Sequence, residues 1–117
     1  MINYTFESID LSTFNNNAVV YTWLALPANE VGQEVRSAAR SDRSFQVDGN
    51  FDGATVIIEG SNDGITYYTL TDPYSAPLSF SSAGLRQVTE ATTFIRPRTI
   101  GGVASAIKVT GIFCYHP

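Results

Sequence analysis

The sequence predicts an all-β protein, a single antiparallel β-sandwich domain with an extended N-terminal segment. Three observations lead there. Apolar and polar residues alternate over short runs, most clearly in Ser44–Phe51 and Ser105–Tyr115. Turn-forming clusters, Asp52-Gly53, Asn62-Asp63-Gly64 and Gly101-Gly102, separate such runs. Six Tyr, seven Phe, Trp23 and many Ser and Thr favour pleated surfaces over helices.

A chain of 117 residues is one domain's worth and long enough to bury its own core. Residues 1–17 read as an N-terminal arm or first edge strand, and residues 18–117 as the sandwich. In the arm Ile2, Tyr4 and Phe6 alternate strictly before the polar run Asn15-Asn16-Asn17. Ala18–Leu26, AVVYTWLAL, is a continuous apolar run ended by Pro27. Its β-branched and aromatic content predicts a strand buried on both faces, or buried on one and covered by a partner on the other. Pro27–Arg43 is a polar connection with room for a short helical turn at Glu34–Arg40.

In SFQVDGNF, Phe45, Val47, Gly49 and Phe51 share one face. Asp52-Gly53 suits a type I′ turn, which needs positive φ at both central positions. Folding ATVIIEGS back about that pair predicts a hairpin with Val47 opposite Ile58 and Phe45 opposite Gly60. Slipping by one residue would bury the polar set instead. Ser61-Asn62-Asp63-Gly64 forms the next turn, with Asn and Asp side chains closing it. Ile65–Leu70 then returns, with Tyr67 or Tyr68 pointing inward. Asp72-Pro73 and Ala76-Pro77 mark a longer loop. Leu78–Phe80, Gly84–Val88 and Thr93–Thr99 are further strands, Pro97 restricting the last to an edge or a strand end. The final strand, Ser105–Tyr115, sets Ile107, Val109, Phe113 and Tyr115 on one face, with a bulge expected at Gly111. Many short strands joined by Gly, Pro, Asn and Asp turns describe a sandwich of jelly-roll-like build.

Little in the sequence points to catalysis. His116 is the lone histidine, beside the C-terminus, so neither a zinc constellation nor a Ser-His-Asp set is expected. No Gly-x-Ser-x-Gly elbow or glycine-rich phosphate cradle occurs. Asp48, Asp52, Glu59, Asp63 and Asp72 are explained by turns or an outward strand face, and their spacing matches no EF-hand loop. Cys114 is alone and reads as a small buried hydrophobe in a chain matured in a reducing cytoplasm. No cofactor is expected. A net charge of −4, with six Arg and Lys108 scattered, argues against nucleic acid. No apolar run reaches the length of a membrane span, and Met1–Asp10 does not read as a secretory signal.

Binding features are more evident. Tyr21 and Trp23 sit in the apolar run that a partner could cover. Ile2, Tyr4 and Phe6 could add a strand to a neighbouring sheet edge, or form the domain's own first strand. Arg36, Arg40 and Arg43 gather in a polar loop, either to meet an acidic partner or simply as a solvated loop.

FQVDGNFDGATVIIEGSNDGITYYTL, followed by LTDPYSAPLSFSSAGLRQVTEATTFIRPRTIGG, resembles a family of small bacteriophage virion structural proteins. The likeness runs from about Gly32 to Thr110. It rests on the Gly-Ala-Thr-Val and Glu-Gly-Ser-Asn-Asp-Gly segments, the Leu-Thr-Asp-Pro loop and the Phe-Ile-Arg-Pro strand. Asp52-Gly53 stands where Gly-Gly is common, and Tyr67 where Trp is common. The resemblance implies a capsid decoration, or cement, protein of the virion. Such a protein would bind the major capsid protein outside the head and form a homotrimer. The segment before Leu26 matches least, and there capsid specificity is expected. Gly60-Ser61-Asn62-Asp63-Gly64 also resembles a hairpin of discoidin-type carbohydrate-binding domains. That likeness implies an alternative, a carbohydrate-binding module or tail-associated protein using Asn62, Asp63, Tyr67 and Tyr68.

Overall fold

A computed structural model describes residues 5–10 and 18–115. It contains ten strands and no helix among them. In chain order these are β1 (Glu7–Asp10), β2 (Val19–Leu26), β3 (Val35–Arg36), β4 (Asp42–Asn50), β5 (Ala54–Ser61), β6 (Tyr68–Thr69), β7 (Ser79–Phe80), β8 (Gly84–Val88), β9 (Phe94–Gly101) and β10 (Ala106–Cys114). One antiparallel sheet has the order β1-β2-β10-β4-β8, and the other β3-β9-β5-β6, with β7 also on β5. The inward residues of both sheets merge into one apolar core, from Trp23, Phe45, Val47, Val109 and Phe113 on one side to Val56, Ile58 and Ile95 on the other.

The turn at Asp52-Gly53 forms as its chemistry demands. Both residues have positive φ, 44° and 85°, and Ala54 N–H donates to Phe51 O at 2.8 Å. The hairpin predicted around it does not form. β4 pairs with β10 and β8, whereas β5 pairs with β9, β6 and β7. The turn carries the chain from one sheet to the other. Val47 and Ile58 are both fully buried, but in facing layers rather than side by side.

β2 carries an extra residue. Val109 pairs with Trp23 and Ile107 with Leu26, so two steps along β10 span three along β2. That bulge at Leu24–Ala25 returns both Trp23 and Leu26 to the core, although their spacing breaks the period of two. Leu24 is left 56% exposed, so β2 is not buried on both faces. No bulge occurs at Gly111, where β10 stays in regular register with β4. Instead a Cβ there would lie 2.8 Å from Phe45 and 3.0 Å from Phe113. Glycine admits the two rings, which meet edge to face at 5.7 Å. Burying each contributes about 1.5–3 kcal/mol.

Pro97 lies inside β9, between β3 and β5, not at an edge or end. Its carbonyl accepts from Gly32 N–H at 2.9 Å, and a residue's N and O point the same way in a strand. The missing N–H therefore faces the short, interrupted β3 side, where no ladder bond is lost to β5. No helical turn forms at Glu34–Arg40, where Val35–Arg36 instead pairs with β9 as β3. Of the expected strand Ile65–Leu70 only Tyr68–Thr69 pairs.

Candidate interaction face

Alternation along β4 and β10 sends Ser44, Gln46, Asp48, Lys108, Thr110 and Ile112 outward, because Phe45, Val47, Val109 and Phe113 are buried. The registers then build two cross-strand rows over four of the sheet's five strands. One runs Val20, Ile112, Ser44, Gln87, and the next Thr22, Thr110, Gln46, Leu85. These eight side chains span four strands and none is charged. Charges stand at the margins: Lys108 opposite Asp48 beyond one row, Asp42 beyond the other, and Glu7 of β1 opposite Thr22 at the end of the second row. Leu85, 66% exposed, adds apolar surface at the β8 edge. Interface cores are depleted of charge and rimmed by it, and this face has that distribution.

The outer face of the other sheet is different. Arg96 Nε–H donates to Glu59 Oε1 at 2.7 Å, and Arg98 reaches the same carboxylate at 3.8 Å. The Arg96 guanidinium lies 3.6 Å from the Tyr67 ring centre, while Arg36 lies over Phe94 at 5.8 Å. Burial raises the Tyr67 pKa. Glu59, Arg96 and Tyr67 are thus engaged with one another.

A third feature is an open depression of about 600 Å3 at one end of the sandwich. Asn62, Asp63 and Tyr68 line it, and Tyr67 does not. The turn beside it is rigidly bonded. Asp63 Oδ1 accepts from Ser61 Oγ, Ile65 N and Thr66 N at 2.8, 2.8 and 3.0 Å. Those backbone bonds, then Ser61, pull the Asp63 pKa down to about 2. Across the depression Glu90 accepts from Thr71 N and Oγ1.

The structure disperses the other sequence-predicted residues. Ile2, Tyr4 and His116 lie outside the described residues. Phe6 packs edge-on against Tyr21 at 4.8 Å and Trp23 at 5.6 Å, and β1 pairs with the domain's own β2. Trp23 is fully buried, its indole N–H donating to Gln33 O at 3.1 Å, so it offers no surface. Arg43 is not in a solvated loop. It is 2% exposed, lies over the Phe113 ring, and donates to Ser37 O, Arg40 O and Thr92 O at 2.6, 2.8 and 2.7 Å. Burial lowers its pKa. Arg36 is exposed and Arg40 half-buried over Tyr115, so the three arginines form no common patch. Cys114 is half-buried on the outward side of β10 rather than in the core.

The uncharged rows were missed in the sequence because each holds one residue from each of four distant strands. Their signal was the lack of charge at the central outward positions of the two longest strands, Ser44 and Gln46 on β4 and Thr110 and Ile112 on β10. Among the described residues no three His, Cys, Asp or Glu side chains gather as metal ligands would.

No protein-family model and no curated protein matches this chain. Among solved structures it is similar to the SPBc2 prophage-derived protein YomS, with a TM-score of 0.63 at 10% identity, over 85% of this chain and 96% of that one. An oxalate oxidase matches with a TM-score of 0.46 at 13% identity, over 92% of this chain and 49% of the enzyme. The K1 cleaved adhesin domain of Lys-gingipain from Porphyromonas gingivalis W83 gives 0.43 at 7% identity, over 96% and 91%. The likeness to YomS is one of architecture: this chain has the fold of a prophage-derived protein of nearly the same extent.

Proposed function

We propose that the chain is a bacteriophage virion structural protein, a decoration or cement protein seated on the outside of the head. Its partners in this reading are the major capsid protein and two further copies of itself. It is assembled onto virions in the host cytoplasm. The observation that carries the proposal is the uncharged double row on the outer face of the five-stranded sheet. The sequence resemblance and the fold shared with a prophage-derived protein support it.

The mechanism is mechanical. Apolar and hydroxyl-bearing side chains on a stiff sheet desolvate against a capsid surface at about 25 cal/mol per Å2 of apolar area. Rigid strands lose little conformational entropy on docking, so more of that gain is retained. Many copies linked through one shell then resist expansion together, because each contact holds its neighbours in place. The test is mass spectrometry on purified particles. The chain is expected in intact heads at near-stoichiometric amounts with the major capsid protein. Its absence from virions overturns the proposal, and its presence only in isolated tails moves it to the tail-associated reading.

A further inference from the structure

We propose that two copies of the chain pair through their β8 edges, strand against strand, across a two-fold axis. The contact is separate from the threefold grouping proposed on the shell and needs no capsid protein. Only its consequence for docking rests on that reading.

The uncharged rows are closed by charge on three sides and open on the fourth. Lys108 with Asp48 stands beyond one row, Asp42 beyond the other, and Glu7 ends the second at β1. At the β8 end the outward residues are Leu85 and Gln87, neither charged, and Leu85 is 66% exposed. β8 is the last strand of its sheet, and among the described residues no backbone bond reaches the side of Gly84–Val88 away from β4. Exposed edges are commonly blocked by an outward charge, a proline or a bulge, and β8 has none of these. Its one charge, Arg86, lies on the core side opposite Phe45. It is already bonded to Asp72 at 2.8 Å and to Pro77 O at 2.9 Å, so a strand laid alongside leaves no unpaired cation.

Charge also selects the occupant, a second copy. A two-fold contact sets a strand against itself, so an outward charge would meet its like. β1, the opposite edge of the same sheet, fails that condition, because a two-fold pairing there puts Glu7 beside Asp10. β3, β6 and β7 are two residues each, too short to hold a pair. β8 offers five uninterrupted residues with a neutral outer side. Rotation about an axis normal to the sheet makes the pairing antiparallel and keeps both outer faces on one side. The two five-stranded sheets then form one continuous sheet. The rows of one copy run on into those of the other, and the docking face doubles.

The test is sedimentation of the full chain from micromolar to millimolar concentration, with hydrogen exchange read at both ends of the range. An even number of copies is expected at the upper end, a dimer or a pair of trimers. Amides within Gly84–Val88 should then exchange more slowly, and those of Glu7–Asp10 should not change. Leu85→Glu with Gln87→Glu brings like charges together across the axis and is expected to weaken the association roughly tenfold or more. Both side chains are exposed, so this variant keeps its melting temperature. A parent chain that stays a monomer or a lone trimer overturns the proposal. So does association without slowed exchange in β8, or equal association of the parent and Leu85→Glu with Gln87→Glu. A chain that pairs but does not bind heads fails the docking reading alone, and one that binds heads without pairing fails only this inference.

Discussion

Arg96 lies over Tyr67, its guanidinium carbon 3.6 Å from the ring centre, while its Nε–H holds Glu59 at 2.7 Å. The two residues tie the segment between the Ser61–Gly64 turn and β6 to β9, and so close the outer layer of the smaller sheet over a buried carboxylate. Removing Arg96 leaves Glu59 with Arg98 alone at 3.8 Å. Arg96→Ala is expected to lower the unfolding free energy by about 2 kcal/mol in urea denaturation. Tyr67→Trp should keep full stability or gain a few tenths, since indole is the better partner for a cation.

Arg43→Ala should cost about 3 kcal/mol, because three backbone carbonyls lose charged donors in one step. Arg43→Lys should rescue only part of it, an ammonium being unable to match the planar fork. Equal melting temperatures for Arg43→Ala and the parent chain would contradict the structural role.

Gly111→Ala tests the aromatic packing. The added methyl meets Phe45 at 2.8 Å and Phe113 at 3.0 Å. A loss of about 1–3 kcal/mol is expected, read from the denaturation midpoint.

Much of the architecture was legible in the sequence, and its errors share a physical origin. Alternation fixes which residues of β4 and β5 face the core, but Val47 and Ile58 look the same in one sheet or in two facing sheets. The turn at Asp52-Gly53 is local chemistry and was readable, whereas its partner strands are set by distant β9 and β10. Pro97 was placed at an edge because a missing N–H is costly in a ladder. Only the shortness of β3, a two-residue strand, makes the interior position tolerable. Arg43 read as solvent-facing because charge implies water, yet three carbonyls and an aromatic ring replace that water. Of the interaction face, single outward positions on β4 and β10 were readable. Their assembly into rows needed the registers.

Acid should loosen the loops before the core. Hydrogen bonds from Ile65 and Thr66 N–H, then Ser61, depress the Asp63 pKa to about 2, and Arg86 holds the Asp72 pKa down at 2.8 Å. A depressed carboxylate stabilises the fold fully above its unfolded value and loses that contribution as pH falls through the folded one. For Asp63 the window runs from 3.8 down to about 2. The melting temperature should fall across it, and Asp63→Asn should be less stable at neutral pH and flatter through the same interval. A parent profile no steeper than that of Asp63→Asn would contradict this assignment.

The docking face is tested most directly by co-sedimentation of the purified chain with phage heads stripped of it. Saturable binding is expected for the parent. The double substitution Ser44→Asp with Gln46→Glu puts two unpaired charges in the centre of the uncharged rows at exposed or half-exposed sites, so the fold and melting temperature should hold. Binding should drop roughly tenfold or more, since a charge desolvated without a partner is costly. Undiminished binding by the double variant, or no binding by the parent, would contradict the docking account.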